Sequence, residues 1–101
     1  MAESKFFVYV IYSPSYDKFY IGQTEDIDKR LKEHNHHFFP GASTKFTSDW
    51  EIFHLITCSS RIQAIKIETH LKKAKNRTYL VNLRKYPNIS EKLREKYKDI
   101  G

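Results

Sequence analysis

Phe6-Phe7-Val8-Tyr9-Val10-Ile11-Tyr12, then Ser13-Pro14-Ser15-Tyr16-Asp17, then Lys18-Phe19-Tyr20-Ile21-Gly22: this stretch decides the fold of the chain. β-branched and aromatic residues fill both flanks, and the serine, proline and aspartate between them suit a turn, so the segment reads as a β-hairpin. Side chains alternate along a strand, so Phe7, Tyr9 and Ile11 share one face, and Tyr20 and Gly22 share one face of the second strand. The two tyrosines can therefore stand on the same side of the sheet. Taken alone they read as a cross-strand aromatic pair. Gly22 shifts that reading, because a glycine ending a strand lets another backbone or a ligand come close, and a phosphate there would reach both phenols.

Beyond the hairpin, Thr24 reads as an N-cap with Glu25 and Asp26 in the first turn. Ile27 and Leu31 form an apolar i,i+4 pair before Asn35 ends the helix. Arg30 and His34 have the same spacing and project from one side. Read by itself, Arg30 is a surface ion pair with Asp26, which contributes little. His34, His36 and His37 read as a polar helix end, since no cysteine or carboxylate stands beside them at a metal-ligand spacing. From Phe38 to Asp49 the composition is that of a loop, with Lys45 and Phe46 offering a cation and an aromatic to a nucleic-acid strand.

Trp50 to Thr57 returns to strand character, with Ile52, His54 and Ile56 expected on one face and Phe53, Leu55 and Thr57 on the other. Ser59 or Ser60 then caps a helix expected to run to about Lys75, on the apolar stripe Ala64, Ile67, Leu71 and Ala74. Glu68 falls at the margin of that stripe. It reads either as the partner of Lys72 in an i,i+4 pair or as a metal-binding carboxylate. One carboxylate suffices for magnesium, which keeps several waters when a substrate phosphate supplies further oxygens. The basic run Lys72-Lys73-Ala74-Lys75-Asn76-Arg77 precedes a short helix over Thr78 to Leu83, which Tyr86-Pro87-Asn88 breaks. Asn88 and Glu91 have capping-box spacing for a last, charged helix, which Leu93 and Tyr97 alone would attach loosely.

With 101 residues the chain has room for one core and one site. Its net charge of +6 and pI of about 9.4 favour a polyanionic partner, and Lys and Arg concentrate after Lys66. The single Cys58 excludes an internal disulfide and reads as a small buried filler. No apolar run reads as a signal peptide or a membrane span, so the expected compartment is the cytoplasm.

In order and spacing these residues resemble the GIY-YIG endonucleases. Tyr20-Ile21-Gly22 reproduces the second half of that signature, Tyr9 falls on the tyrosine of the first, and Phe7 stands where its glycine would be. Arg30 falls on the family arginine, His34 on a position that is tyrosine or histidine in many members, and Glu68 on the metal-binding glutamate. The likeness covers about residues 5 to 84 and is greatest to small stand-alone bacterial members related to the nuclease domain of structure-specific endonucleases. It implies an α+β fold, a three-stranded antiparallel sheet flanked by helices. Residues 1–84 would form the nuclease domain and residues 85–101 a charged helical tail of the same domain. The late asparagine of some members has no secure counterpart, Asn76 and Asn82 both standing near its place.

The activity implied is hydrolysis of a DNA phosphodiester with one divalent ion, Mg2+ or Mn2+, held by Glu68. Tyr9 or Tyr20 would remove a proton from the attacking water, Arg30 would hold a phosphate oxygen, and His34 would orient the water or relay a proton. Gly22, Lys45, Lys72, Lys73 and Arg77 are the expected nucleic-acid contacts. DNA is the expected partner, with RNA as another polyanion, no membrane, and a monomeric chain. A module of the same fold that binds nucleic acid without cutting it is the alternative.

Overall fold

Strands β1 (Phe6–Ser13) and β2 (Lys18–Thr24) pair antiparallel, with Tyr9 opposite Gly22 and Ile11 opposite Tyr20, as the hairpin reading requires. The computed structural model describes residues 5–36, 47–74 and 76–98. Asp17 closes the turn at a positive φ of 54°, its N–H donating to the Ser13 carbonyl over 2.7 Å. Helix α1 (Ile27–Asn35) follows, then β3 (Glu51–Cys58), α2 (Arg61–Lys73), α3 (Arg77–Lys85) and α4 (Pro87–Lys96). β3 joins the free edge of β1, so the three-stranded antiparallel sheet has the order β2-β1-β3 and the fold is α+β. No described helix is long and apolar enough to cross a membrane.

The sheet buries both faces. Val8, Val10, Ile21 and Ile56 meet Ala64, Ile67 and Leu71 of α2, with Leu80, Leu83 and Leu93 of the last two helices completing that core. Each buried valine, leucine or isoleucine among these stabilises the fold by roughly 1.5–3 kcal/mol. On the opposite face Tyr9, Ile11 and Trp50 are buried together, and Tyr20, Ile27 and Leu31 pack against them. The two hairpin tyrosines are therefore part of a small second core under α1.

Several local expectations are corrected. Thr24 is the last residue of β2 rather than the helix cap, and its Oγ1 accepts from the Asp26 N–H at 3.1 Å. That turn puts Asp26 at the cap, where Oδ1 accepts from the Lys29 N–H at 3.1 Å. Ser60 caps α2 through the Gln63 N–H at 3.0 Å, and the helix stops at Lys73 rather than Lys75. Asn76 caps α3, whose bounds are wider than the sequence suggested. α4 begins at Pro87, without an Asn88–Glu91 capping box. Proline at the first helical position needs no N–H partner and brings the right φ.

The strict alternation expected in β3 is broken. Val10 lies opposite His54 and Ile11 opposite Ile52, leaving Phe53 as an extra residue in a bulge. Phe53 and His54 consequently both turn towards the α3 and α4 side, where Phe53 meets Phe19 at 5.1 Å and His54 Nε2 meets Ser90 Oγ at 2.8 Å. The last helix is also better attached than its two apolar contacts suggested. The Gln63 amide donates to the Arg94 carbonyl at 2.9 Å, and His70 Nδ1 lies 2.9 Å from the Tyr97 hydroxyl.

Candidate active site

The Tyr9 side chain lies across the hairpin over Gly22, and a Cβ built at residue 22 would overlap its phenol oxygen and ring. The close approach that Gly22 permits is therefore made first by Tyr9 itself, in place of the phosphate expected from the sequence. Tyr9 is 1% exposed. Its hydroxyl is 2.8 Å from His34 Nε2, which α1 delivers from above the sheet. Tyr20, half-buried, completes a triangle: its ring centre is 6.4 Å from that of Tyr9 and 5.1 Å from that of His34.

Burial pushes the Tyr9 phenol well above its ordinary pKa, and the neighbouring Tyr20 adds to the shift. Arg30 opposes it through charge and hydrogen bonding, and Glu68 reinforces it. His34 is lowered to about 4, by burial first and by the Arg30 charge second. At neutral pH both groups are thus uncharged. Arg30 can only donate to the phenol oxygen, and the Tyr9 hydroxyl and His34 Nε2 share a single hydrogen bond between two neutral groups.

The structure brings Tyr9, Tyr20, Arg30 and His34 together, and it brings Glu68 close enough for its charge to act on Tyr9. Arg30 Nε pairs with Glu33 Oε1 at 3.3 Å, while the Asp26 carboxylate expected to pair with it caps the helix. Glu68 Oε2 holds Lys72 Nζ at 2.9 Å, with the Glu68 side chain 18% exposed. The i,i+4 pair expected from the sequence is thus present, and it shows that this carboxylate already holds a cation. A hard oxygen donor fits Mg2+ or Mn2+. Among the described residues no group of three or more His, Cys, Asp or Glu converges, so Glu68 would be joined by water and substrate oxygens.

The expected nucleic-acid contacts are scattered. Lys72 is held by Glu68, and Lys73 faces a groove beside α4. Arg77 binds Asp17 at 2.5 Å and lies 5.6 Å over the Phe19 ring, so it also fastens α3 to the hairpin turn. Lys45 and His37 lie outside the described residues.

Two supports escaped the sequence reading. Asn35 bonds both backbone groups of Trp50, accepting from its N–H at 2.7 Å and donating to its carbonyl at 3.1 Å. This clasp fixes the end of α1 to the start of β3, and so fixes His34 against the tyrosines. Asp49 takes hydrogen bonds from the Ser13, Ser15 and Thr47 hydroxyls, which hold its carboxyl well below the usual range and tie the entry of β3 to the hairpin turn. Neither clasp has a local sequence signal, because Trp50 is distant from Asn35 in the chain, as Ser13 and Ser15 are from Asp49.

A search among curated proteins finds no match. The family comparison does: residues 5–82 match the GIY-YIG catalytic domain. That match spans most of the chain and contains the whole tyrosine, arginine, histidine and glutamate cluster, so the protein belongs to the GIY-YIG family.

Proposed function

We propose that this chain is a metal-dependent DNA endonuclease that hydrolyses phosphodiester bonds in branched, nicked or single-stranded DNA, as repair and recombination require. Family membership supports a nuclease acting on nucleic acid, and the observation that carries the reading further is the convergence of Tyr9, Tyr20, Arg30 and His34 with the Glu68 charge. The net charge of +6 suits a polyanionic substrate.

Burial divides the work of the two tyrosines. A general base must touch the water it deprotonates, and Tyr20 is the more accessible of the pair. Tyr20, as its phenolate, takes that proton. Tyr9 is a positioning residue: its hydroxyl holds His34, and its ring fills the space above Gly22. The imidazole then orients Tyr20. Arg30, at the margin of the cluster, binds a phosphate oxygen and offsets the charge that grows in the transition state. Glu68 would hold the divalent ion, which when bound supplies positive charge for the departing oxygen.

Incubating the protein with nicked, flapped, single-stranded and plain duplex DNA, with Mg2+ or Mn2+ and with chelator, tests the reading. Cleavage confined to the divalent-ion reactions is expected. The Lys72 ammonium on Glu68 favours a second reading, a module that binds nucleic acid without cutting. Tight binding with no cleavage of any substrate would select it.

A further inference from the structure

Glu68 occupies one edge of α2, and the next face of the same helix forms something separate. With the end of α4 it walls a groove of about 640 Å3 lined by Ile65, Lys66, Thr69, His70, Lys73 and Tyr97. Among the described residues no acidic residue lines it. His70 Nδ1 is 2.9 Å from the Tyr97 hydroxyl, so the tyrosine ring is a fixed wall. Lys96 stands over the outer side of that ring at 5.4 Å. After burial, the Lys96 and Lys73 charges are what depress the His70 pKa, so positive potential converges on the groove. Ile65, on its rim, is 43% exposed. On the helical wheel Lys66 and Lys73 lie on the far side of α2 from Glu68, so the groove is a surface apart from the candidate site. Tyr97 and Lys96 lie beyond residues 5–82, so the α4 wall of this groove is an addition to the matched domain.

We propose that this groove holds a single-stranded segment of the nucleic acid, with Lys66 and Lys73 on its phosphates and a base against Tyr97 and Ile65. The proposal rests on the nucleic-acid reading above and names the surface that serves it. The lysine charges that converge on His70 select a polyanion over a typical protein partner. The apolar and aromatic wall selects a strand with free base faces, because a duplex keeps its faces stacked. Lys66 and Lys73 are two helical turns apart on the exposed side of α2, so a strand lying along the helix meets both.

Fluorescence anisotropy of a fluorescein-labelled dT12 oligonucleotide, in buffer with chelator and no divalent ion, separates this surface from catalysis. Each neutralised phosphate on a single strand contributes about 0.7 to the slope of log K against log salt, so Lys66→Ala/Lys73→Ala should lower that slope by about 1.4. Affinity at moderate salt should fall on the order of tenfold. Tyr97→Leu, which removes the stacking wall, should weaken binding roughly fivefold or more. The charge-matched pair Lys18→Ala/Lys92→Ala, placed elsewhere, should change it much less. An unchanged slope in Lys66→Ala/Lys73→Ala, or an equal loss in the two lysine pairs, would overturn the proposal. So would an Ile65→Ser protein that binds dT12 normally but has a smaller mass in solution than the parent, which would assign the groove to a contact between chains. If the parent fails to bind dT12 yet cleaves nicked duplex, the groove proposal falls while the nuclease reading stands.

Discussion

Tyr9 and Gly22 are cross-strand partners, and the phenol of one occupies the volume that a side chain on the other would need. Gly22→Ala should therefore displace the Tyr9 ring and break its bond to His34. The expected loss is about 1–3 kcal/mol of stability, typical of forcing a methyl into a packed site. Tyr9→Leu/Gly22→Ala should lose less than the two single changes added together, because the smaller side chain vacates the contested space. Urea denaturation of the four proteins measures this, and strict additivity would show that the two residues do not compete for space.

The two tyrosine hydroxyls should behave differently. Tyr20→Phe should fold like the parent, bind DNA, and cut it roughly a hundredfold or more slowly, the usual scale of a lost general base. Tyr9→Phe removes the buried hydrogen bond to His34 Nε2, so it should cost about 1–3 kcal/mol of stability. Its cleavage defect should follow the loosened histidine. Single-turnover rates and melting curves on both variants check the assignment, which fails if Tyr20→Phe cuts at the parent rate.

Acidification should weaken the fold through His34. Its pKa is about 4 in the folded chain and near 6.5 when unfolded, so the unfolded state binds the proton first. Stability is present above about pH 6.5, is lost as pH falls from there to about 4, and falls no further from this group below that. Between pH 7 and pH 5 the loss from His34 should be about 2 kcal/mol. His34→Gln should flatten much of the decline in denaturant midpoints, the remainder coming from His54 and His70, which are lowered as well.

The hairpin, the shared face of Tyr9 and Tyr20, and the Glu68–Lys72 pair were legible because each follows from turn residues or from a period of two or four along one element. The bulge at Phe53 was not: an inserted residue leaves the composition of a strand unchanged while reversing the faces beyond it. The firm docking of α4 was hidden for a different reason. Its fastenings are polar and long-range, His54 to Ser90 and His70 to Tyr97, and periodicity records only apolar faces. Within the site the residues were legible as types, but not that burial would hold Tyr9 protonated against His34.

Asn35 should prove as important to the site as residues within it. Asn35→Ala removes both bonds to the Trp50 backbone, and the expected cost is about 1–3 kcal/mol for buried groups left unpaired. Hydrogen exchange should quicken at the end of α1 and at the start of β3. Unchanged exchange there would show that the apolar packing of Ile27 and Leu31 alone seats the helix.

Glu68 is the point at which the nuclease reading is most exposed. Glu68→Gln keeps the shape of the side chain and removes its charge, and its place at the edge of the apolar stripe should leave the fold intact. The decisive measurement is the single-turnover cleavage rate of a nicked or flapped DNA by parent and Glu68→Gln across a Mn2+ titration. The account predicts ion-dependent cutting by the parent and a folded, DNA-binding variant that does not cut at any Mn2+ concentration. Equal, ion-dependent cleavage by the two proteins would contradict it.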